Sequence, residues 1–182
     1  MQRISINNLP PQGQEFVIDD PAVWAAPMAE FHMDCRVLEA ISATVTVIPV
    51  ENGCLVRGRL SGRIALPCNR CAEDAIVALD DAFETFECLP GTDTDGEEGD
   101  APFGEESHIL LEEGAPMLDI AAVCWEEFSL ALPVNPLCKP DCKGLCSSCG
   151  ANLNAGSCTC VRDEGDPRLA VLRNITITNS GS

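Results

Sequence analysis

The stretch Cys54-Leu-Val-Arg-Gly-Arg-Leu-Ser-Gly-Arg-Ile-Ala-Leu-Pro-Cys-Asn-Arg-Cys71 runs on a period of two. Its even positions Val56, Gly58, Leu60, Gly62, Ile64 and Leu66 are apolar or small, and its odd positions include Arg57, Arg59, Ser61 and Arg63. Successive side chains of a strand leave on opposite faces, so the pattern predicts a strand with one apolar face and one arginine-bearing face. Upstream, Ile41, Ala43, Val45 and Val47 alternate with Ser42, Thr44 and Thr46, which predicts a strand over 36–50. Glu51-Asn52-Gly53 lies between the two strands, and Asn-Gly is the favoured pair of a type I′ hairpin turn. Pro67-Cys68-Asn69-Arg70-Cys71 reverses the chain again, and a third strand runs from Ala75 to Leu89. The segment is an antiparallel β-meander with a C-x2-C motif at its second turn.

Outward from the meander, helices make the fold α+β. Ile120, Val123, Cys124, Phe128 and Ala131 share one face of a helix expected over 118–132, ended by Pro133. This helix is expected to cover one face of the sheet, with Glu126 and Glu127 facing out and Trp125 at its margin. Asp20-Pro21 reads as an N-cap followed by proline at the first helical position, and Pro27 is expected to limit or kink that helix. Ile4, Ile6 and Leu9 predict a short first strand stopped by Pro10-Pro11, and Ile109 to Leu111 a short edge strand. Residues 91–107 are rich in Asp and Glu without Lys or Arg, the composition of a solvated acidic loop. The expected organisation is an α+β body over 1–133, a cysteine-rich metal-binding segment over 134–162, and a short helix with a disordered tail over 163–182.

The chain has 182 residues, 46% of them hydrophobic, which suits one domain. Tyr is absent and aromatics are 4%, so the core is expected to be mostly aliphatic. The formal net charge of -18 repels nucleic acid at long range, so contact with RNA requires a local basic patch. No stretch reads as a signal peptide or a membrane span. Twelve cysteines without an export signal predict a cytoplasmic chain whose thiols serve metal or redox chemistry more than disulfides.

Six of those cysteines fall in Cys138-Lys-Pro-Asp-Cys142-Lys-Gly-Leu-Cys146-Ser-Ser-Cys149-Gly-Ala-Asn-Leu-Asn-Ala-Gly-Ser-Cys158-Thr-Cys160. Few apolar residues lie there, so packing cannot hold the segment. A structural zinc ion takes four ligands at the corners of a tetrahedron, usually from two short cysteine pairs. Cys146, Cys149, Cys158 and Cys160 are grouped on one ion as a local loop. Cys68, Cys71, Cys138 and Cys142 are grouped on a second, which staples the segment to the hairpin. Other pairings satisfy the same tetrahedral rule, and an iron–sulfur cluster also uses four thiolates. Cys35, Cys54, Cys88 and Cys124 stand alone in sequence and read as ordinary buried cysteines.

No catalytic constellation surrounds His32 or His108, and no phosphate-binding loop, nucleophile elbow or zinc-protease motif occurs. All-cysteine zinc sites are closed to substrate. The chain is therefore expected to be no enzyme, with no small-molecule substrate. Arg57, Arg59, Arg63 and Arg70 are candidates for RNA contact, with Lys139 and Lys143 extending the patch, since arginine forks suit phosphate. Cross-strand ion pairs with Asp80, Asp81, Glu84 or Glu87 are the competing expectation.

The strand ending in Leu66-Pro-Cys68-Asn-Arg-Cys71, the segment Leu118-Asp119-Ile120 through Leu130-Ala-Leu-Pro133, the run Cys138 to Asn154 and Asp166-Pro-Arg168-Leu-Ala together resemble the YceD family. These are bacterial large ribosomal RNA subunit accumulation proteins. The resemblance implies a non-enzymatic role in the synthesis, processing or accumulation of large-subunit (23S) ribosomal RNA. It further implies a partner that is either the RNA precursor or a ribosomal or assembly protein. The alternative is a zinc-stabilised protein-interaction module without RNA contact. The first residues of the chain and the acidic loop match the family least.

Overall fold

The computed structural model describes residues 2–90 and 107–160. The acidic loop over 91–106, the short helix expected near Asp166 and the tail lie outside the described residues.

The meander forms as its alternation requires. β3 (Arg36–Val50), β4 (Gly53–Pro67) and β5 (Asp74–Cys88) pair antiparallel, with Val45 opposite Gly58 and Gly58 opposite Phe83. A Cβ on Gly58 would come 2.3 Å from the Phe83 ring, so the glycine makes the space that the ring fills. Val50 pairs with Gly53, so the tight turn is Glu51-Asn52, one residue earlier than Asn-Gly alone predicts. β2 (Gln14–Ile18) adds a fourth strand beside β3, giving the order β2-β3-β4-β5. A second sheet of order β1-β7-β6 joins β1 (Arg3–Ser5), β6 (Ile109–Glu112) and β7 (Ala115–Asp119).

The first strand is shorter than its apolar residues predict. It ends at Ser5, and Ile6–Asn8 form a 3-10 turn closed by the Leu9 N–H on the Ile6 carbonyl. Ile6 still reaches the core from that turn. Neither β2 nor β7 carries an alternation of its own. Pairing with β3 and with β1 and β6 imposes their extended backbone.

α1 (Pro21–Glu30) starts as its cap predicts, with the Asp20 carboxylate accepting from the Ala22 N–H. It continues through Pro27 to Glu30 and does not stop there. α2 (Ile120–Ala131) is capped by Asp119, which accepts from the Ala122 N–H. Trp24 and Met28 of α1 and Ile120, Val123, Cys124 and Phe128 of α2 join the same buried cluster as Val45, Val47, Val56, Leu60 and Ile64 of the meander. The few aromatics concentrate between the helices. Trp24 packs on Phe128 at 5.7 Å, Phe128 on Trp125 at 5.4 Å, and Trp125 stacks on Phe31 at 6.0 Å. Aromatic pairs contribute beyond their area, so this seam holds α1 against α2. Glu127 is half-buried and does not face out fully; burial and the charges of Glu126 and Glu87 raise its pKa. No helix among the described residues is long and apolar enough to cross a membrane.

A cluster of polar contacts joins the two sheets. Glu87 at the end of β5 is 5% exposed. It accepts the His108 backbone N–H at 2.8 Å and lies 3.0 Å from His108 Nδ1. Ser107 donates to the Cys88 carbonyl at 2.6 Å beside it. The bond to Glu87 raises the His108 pKa against the effect of burial, and the charges of Glu126 and Asp119 add to it. Burial pushes Glu87 up, but the bonds from His108 and Ser107 outweigh it and leave it lowered. The His108 contribution is present below its ordinary 6.5 and is lost as pH rises through its raised value. The Glu87 contribution is present above its ordinary 4.5 and is lost as pH falls through its lowered value. The clasp therefore contributes most between these limits. Urea unfolding at pH 6 and pH 8 should show His108→Gln removing about 1–2 kcal/mol of stability at pH 6 and less at pH 8. An equal loss at both values would mean that the imidazolium contributes nothing.

Candidate metal centres

The β4–β5 turn and the segment after α2 meet through their cysteines. The Sγ atoms of Cys68, Cys71, Cys138 and Cys142 all lie within 4.8 Å of one another. Cys68 Sγ is 3.8 Å from Cys142 Sγ, and Cys71 Sγ is 3.5 Å from Cys138 Sγ. A tetrahedron with metal–sulfur bonds of about 2.3 Å has edges of about 3.8 Å, so these four could hold one metal ion. Cys68, Cys71 and Cys142 are buried, and with Ala75 they form a small core of their own against Leu137. The Sγ atoms of Cys146, Cys149, Cys158 and Cys160 make a second group within the same limit, with Cys149 exposed. The eight cysteines thus gather in the two fours that the spacing suggested. All twelve cysteines are free thiols, so no disulfide competes for these sulfurs.

The two C-x2-C motifs fold alike. The Ala72 N–H bonds the Cys68 carbonyl at 2.8 Å, and the Gly150 N–H bonds the Cys146 carbonyl at 2.9 Å. Each turn needs a left-handed residue after its second cysteine. Gly150 has φ +72°, and Ala72 is held at φ +59° despite its Cβ. The turns aim backbone N–H groups at sulfur. Burial raises the Cys68 thiol, but the N–H groups of Cys138, Arg70 and Cys71 outweigh it and bring the pKa down to about 6. The N–H groups of Cys149 and Ser148 lower Cys146 to about 6. The last sulfurs to ionise go the other way. Burial and the bonds it makes to Cys71, Cys142 and Cys68 push Cys138 up to about 12. The bond to Cys149, followed by burial, pushes Cys160 up to about 12. Four sulfurs this close cannot all ionise unaided; a divalent cation among them would take all four as thiolates.

Further contacts close the segment on itself and lock it to the hairpin. Asn154 Nδ2 donates to Cys142 Sγ at 3.2 Å, and its Oδ1 accepts the Lys143 N–H at 2.9 Å. Asn152 donates to Glu73 at 2.6 Å. The Leu145 N–H reaches the Arg70 carbonyl at 3.0 Å, and the Asn69 N–H the Pro136 carbonyl at 2.9 Å. Gly144 sits at φ +75° where a Cβ would come 2.9 Å from that same Arg70 carbonyl, so only glycine passes.

The arginine face of β4 is paired. Arg57 meets Glu84, Arg59 donates through Nε to Asp80 at 2.8 Å, and Arg63 lies 3.0 Å from Glu39. Glu39 on β3 was not among the acids expected. Arg70 donates to the Cys142 carbonyl at 2.9 Å, and Lys139 and Lys143 are exposed beside the first cysteine group. A third group, Glu87, His108 and Glu126, also has ligand atoms within 4.8 Å. Both Glu87 oxygens already accept bonds from His108, and nothing in the sequence around His108 marks the group.

Two outcomes check this reading. Ala72→Gly should raise stability by roughly 0.5–1 kcal/mol in urea unfolding, because it relieves the left-handed alanine, while Gly150→Ala should lower it by a similar amount. In limited proteolysis, Cys142→Ser should free residues 134–160 from the hairpin, whereas Cys149→Ser should open only the outer loop. Identical fragments from both variants would mean the two cysteine groups do not act separately.

The segment that carries these cysteines is similar to known proteins. The family model described as "Large ribosomal RNA subunit accumulation protein YceD" matches residues 56–176, a span that holds all eight grouped cysteines. The chain is 29% identical over 154 residues to the chloroplastic YCED homolog 1 of Arabidopsis thaliana, covering 74% of this chain and 48% of that protein. The chloroplastic homolog 1 of Zea mays is 30% identical over 121 residues, covering 53% of this chain and 40% of that protein. An uncharacterized protein of Mycobacterium tuberculosis is 28% identical over 123 residues, covering 68% and 56%. The chain thus spans about half the length of the curated relatives it matches. No solved structure matches it. With a match over most of its length that includes both cysteine groups, the chain belongs to the YceD family of large ribosomal RNA subunit accumulation proteins.

Proposed function

We propose that the chain is a non-enzymatic ribosome-biogenesis factor that supports the synthesis, processing or accumulation of large-subunit (23S) ribosomal RNA. The observation that carries this reading is the family match over residues 56–176. Each cysteine group holds a structural zinc ion in it. The donor set supports zinc: four thiolates per ion, two short pairs per site, backbone N–H groups directed at sulfur, and an amide from Asn154 outside the first shell of one site. Zinc at a closed thiolate site ties chain segments together and offers no open position to a substrate. The inner ion fastens the C-terminal segment to the β4–β5 turn; the outer ion shapes residues 146–160.

A second reading is a zinc-stabilised module that binds a protein and no RNA. The ion pairs of Arg57, Arg59 and Arg63 favour it, because each of these cations already has an acid. A pull-down treated with nuclease separates the two: a partner that survives treatment supports the module, and loss of the complex supports RNA.

Cells lacking the protein should accumulate less 23S rRNA relative to the small-subunit RNA, with fewer large subunits in sucrose gradients. An unchanged profile would sink the ribosomal reading. Elemental analysis of the purified chain should give two zinc ions; one ion would break the grouping, and iron with visible absorbance would mean a cluster.

A further inference from the structure

The cations of this acidic chain are not spread evenly. Among the described residues, Arg3, Arg36, Arg57, Arg59 and Arg63 form ion pairs with Glu112, Asp74, Glu84, Asp80 and Glu39. Arg70, Lys139 and Lys143 form none with those residues. All three border the first cysteine group. Arg70 lies between Cys68 and Cys71 and holds the Cys142 carbonyl. Lys139 follows Cys138, and its carbonyl accepts the Cys142 N–H at 3.1 Å. Lys143 follows Cys142. Of the acids on these loops, Asp74 is neutralised by Arg36, while Glu73, bonded only to the neutral amide of Asn152, and Asp141 keep their charge, so three cations stand against two acids. A shallow open recess of about 300 Å³, lined by Lys143, Leu153, Asn154, Ala155, Gly156 and Ser157, opens beside Lys143.

We propose that this surface at the inner cysteine group, and not the arginine face of β4, meets the phosphate backbone of RNA; the proposal rests on the ribosomal reading above. A paired arginine must give up one oxyanion to gain another, and the exchange returns little. An unpaired cation displaces only water and counterions. The whole-chain field repels RNA, so contact is confined to where cations outnumber free acids locally. The same three cations also offset the negative charge of a zinc tetrathiolate. If that were their sole role, removing them would loosen the metal and leave RNA binding alone.

The test uses the full zinc-loaded chain and tiled, labelled transcripts of 23S rRNA, with binding measured across a salt series. Lys139→Gln/Lys143→Gln should weaken binding about tenfold and reduce the log–log salt slope by about 1.4, two contacts at about 0.7 each. Arg57→Gln/Arg59→Gln/Arg63→Gln should leave both nearly unchanged. The reverse pattern overturns the proposal. So does a lysine variant that loses zinc faster to a chelator yet binds transcripts like the parent. Complementation separates the two levels. If deletion lowers 23S rRNA and the lysine variant restores it fully, this surface is overturned and the ribosomal reading stands. If deletion leaves 23S rRNA unchanged, the ribosomal reading itself falls, and this proposal with it.

Discussion

Four sulfurs, two from the tip of the β4–β5 hairpin and two from the segment after α2, meet where residues 134–160 join the sheet. Residues 134–160 contribute few apolar side chains to any core. They are held by bonds to the hairpin tip, on their backbone through Arg70 and Asn69 and on the Asn152 side chain through Glu73. A metal among the sulfurs would substitute for a hydrophobic core in a segment too polar to form one.

The hairpin can serve as an anchor because it is itself well supported. β4 is the central partner of the meander, paired along its length to β5 and over most of it to β3. Its buried stripe of Val56, Leu60 and Ile64 lies in one cluster with both helices. The turn that carries Cys68 and Cys71 therefore projects from a rigid ladder. That rigidity lets Ala72 be held in a left-handed conformation that alanine avoids, so the cysteine turn keeps its shape without the glycine present in its counterpart.

Charge is arranged on the same plan. On the outer face of the sheet, arginine and carboxylate neutralise each other across strands, as neighbouring positions on a pleated surface allow. Such exposed pairs contribute little to stability, but they remove the ridge as a field source. At the hairpin tip the cations stay free of carboxylates among the described residues, so the chain's polarity comes to depend on where its turns fall.

The sequence by itself determined the meander, because a period of two admits only one assignment of faces, and it determined the cap of α1, because Asp20 acts on an N–H group two residues away; the start of α2 at Ile120, with Asp119 as its cap, came two residues later than the apolar pattern suggested. It also determined which cysteines could pair locally, since C-x2-C closes within one turn. What lay beyond it was decided at long range. β2 and β7 have no periodicity and exist only because partner strands accept their backbone. The aromatic seam between α1 and α2 joins residues a hundred positions apart. The Glu87–His108 clasp joins two sheets across the acidic segment, with no motif to announce it. The pairing of Arg63 with Glu39 depended on which strand lay on which side of β4. Short-range signals work where the interaction lies within one turn or one pleat. The partners of a buried carboxylate, an edge strand or a surface arginine come from distant parts of the chain, and only the folded topology brings them together.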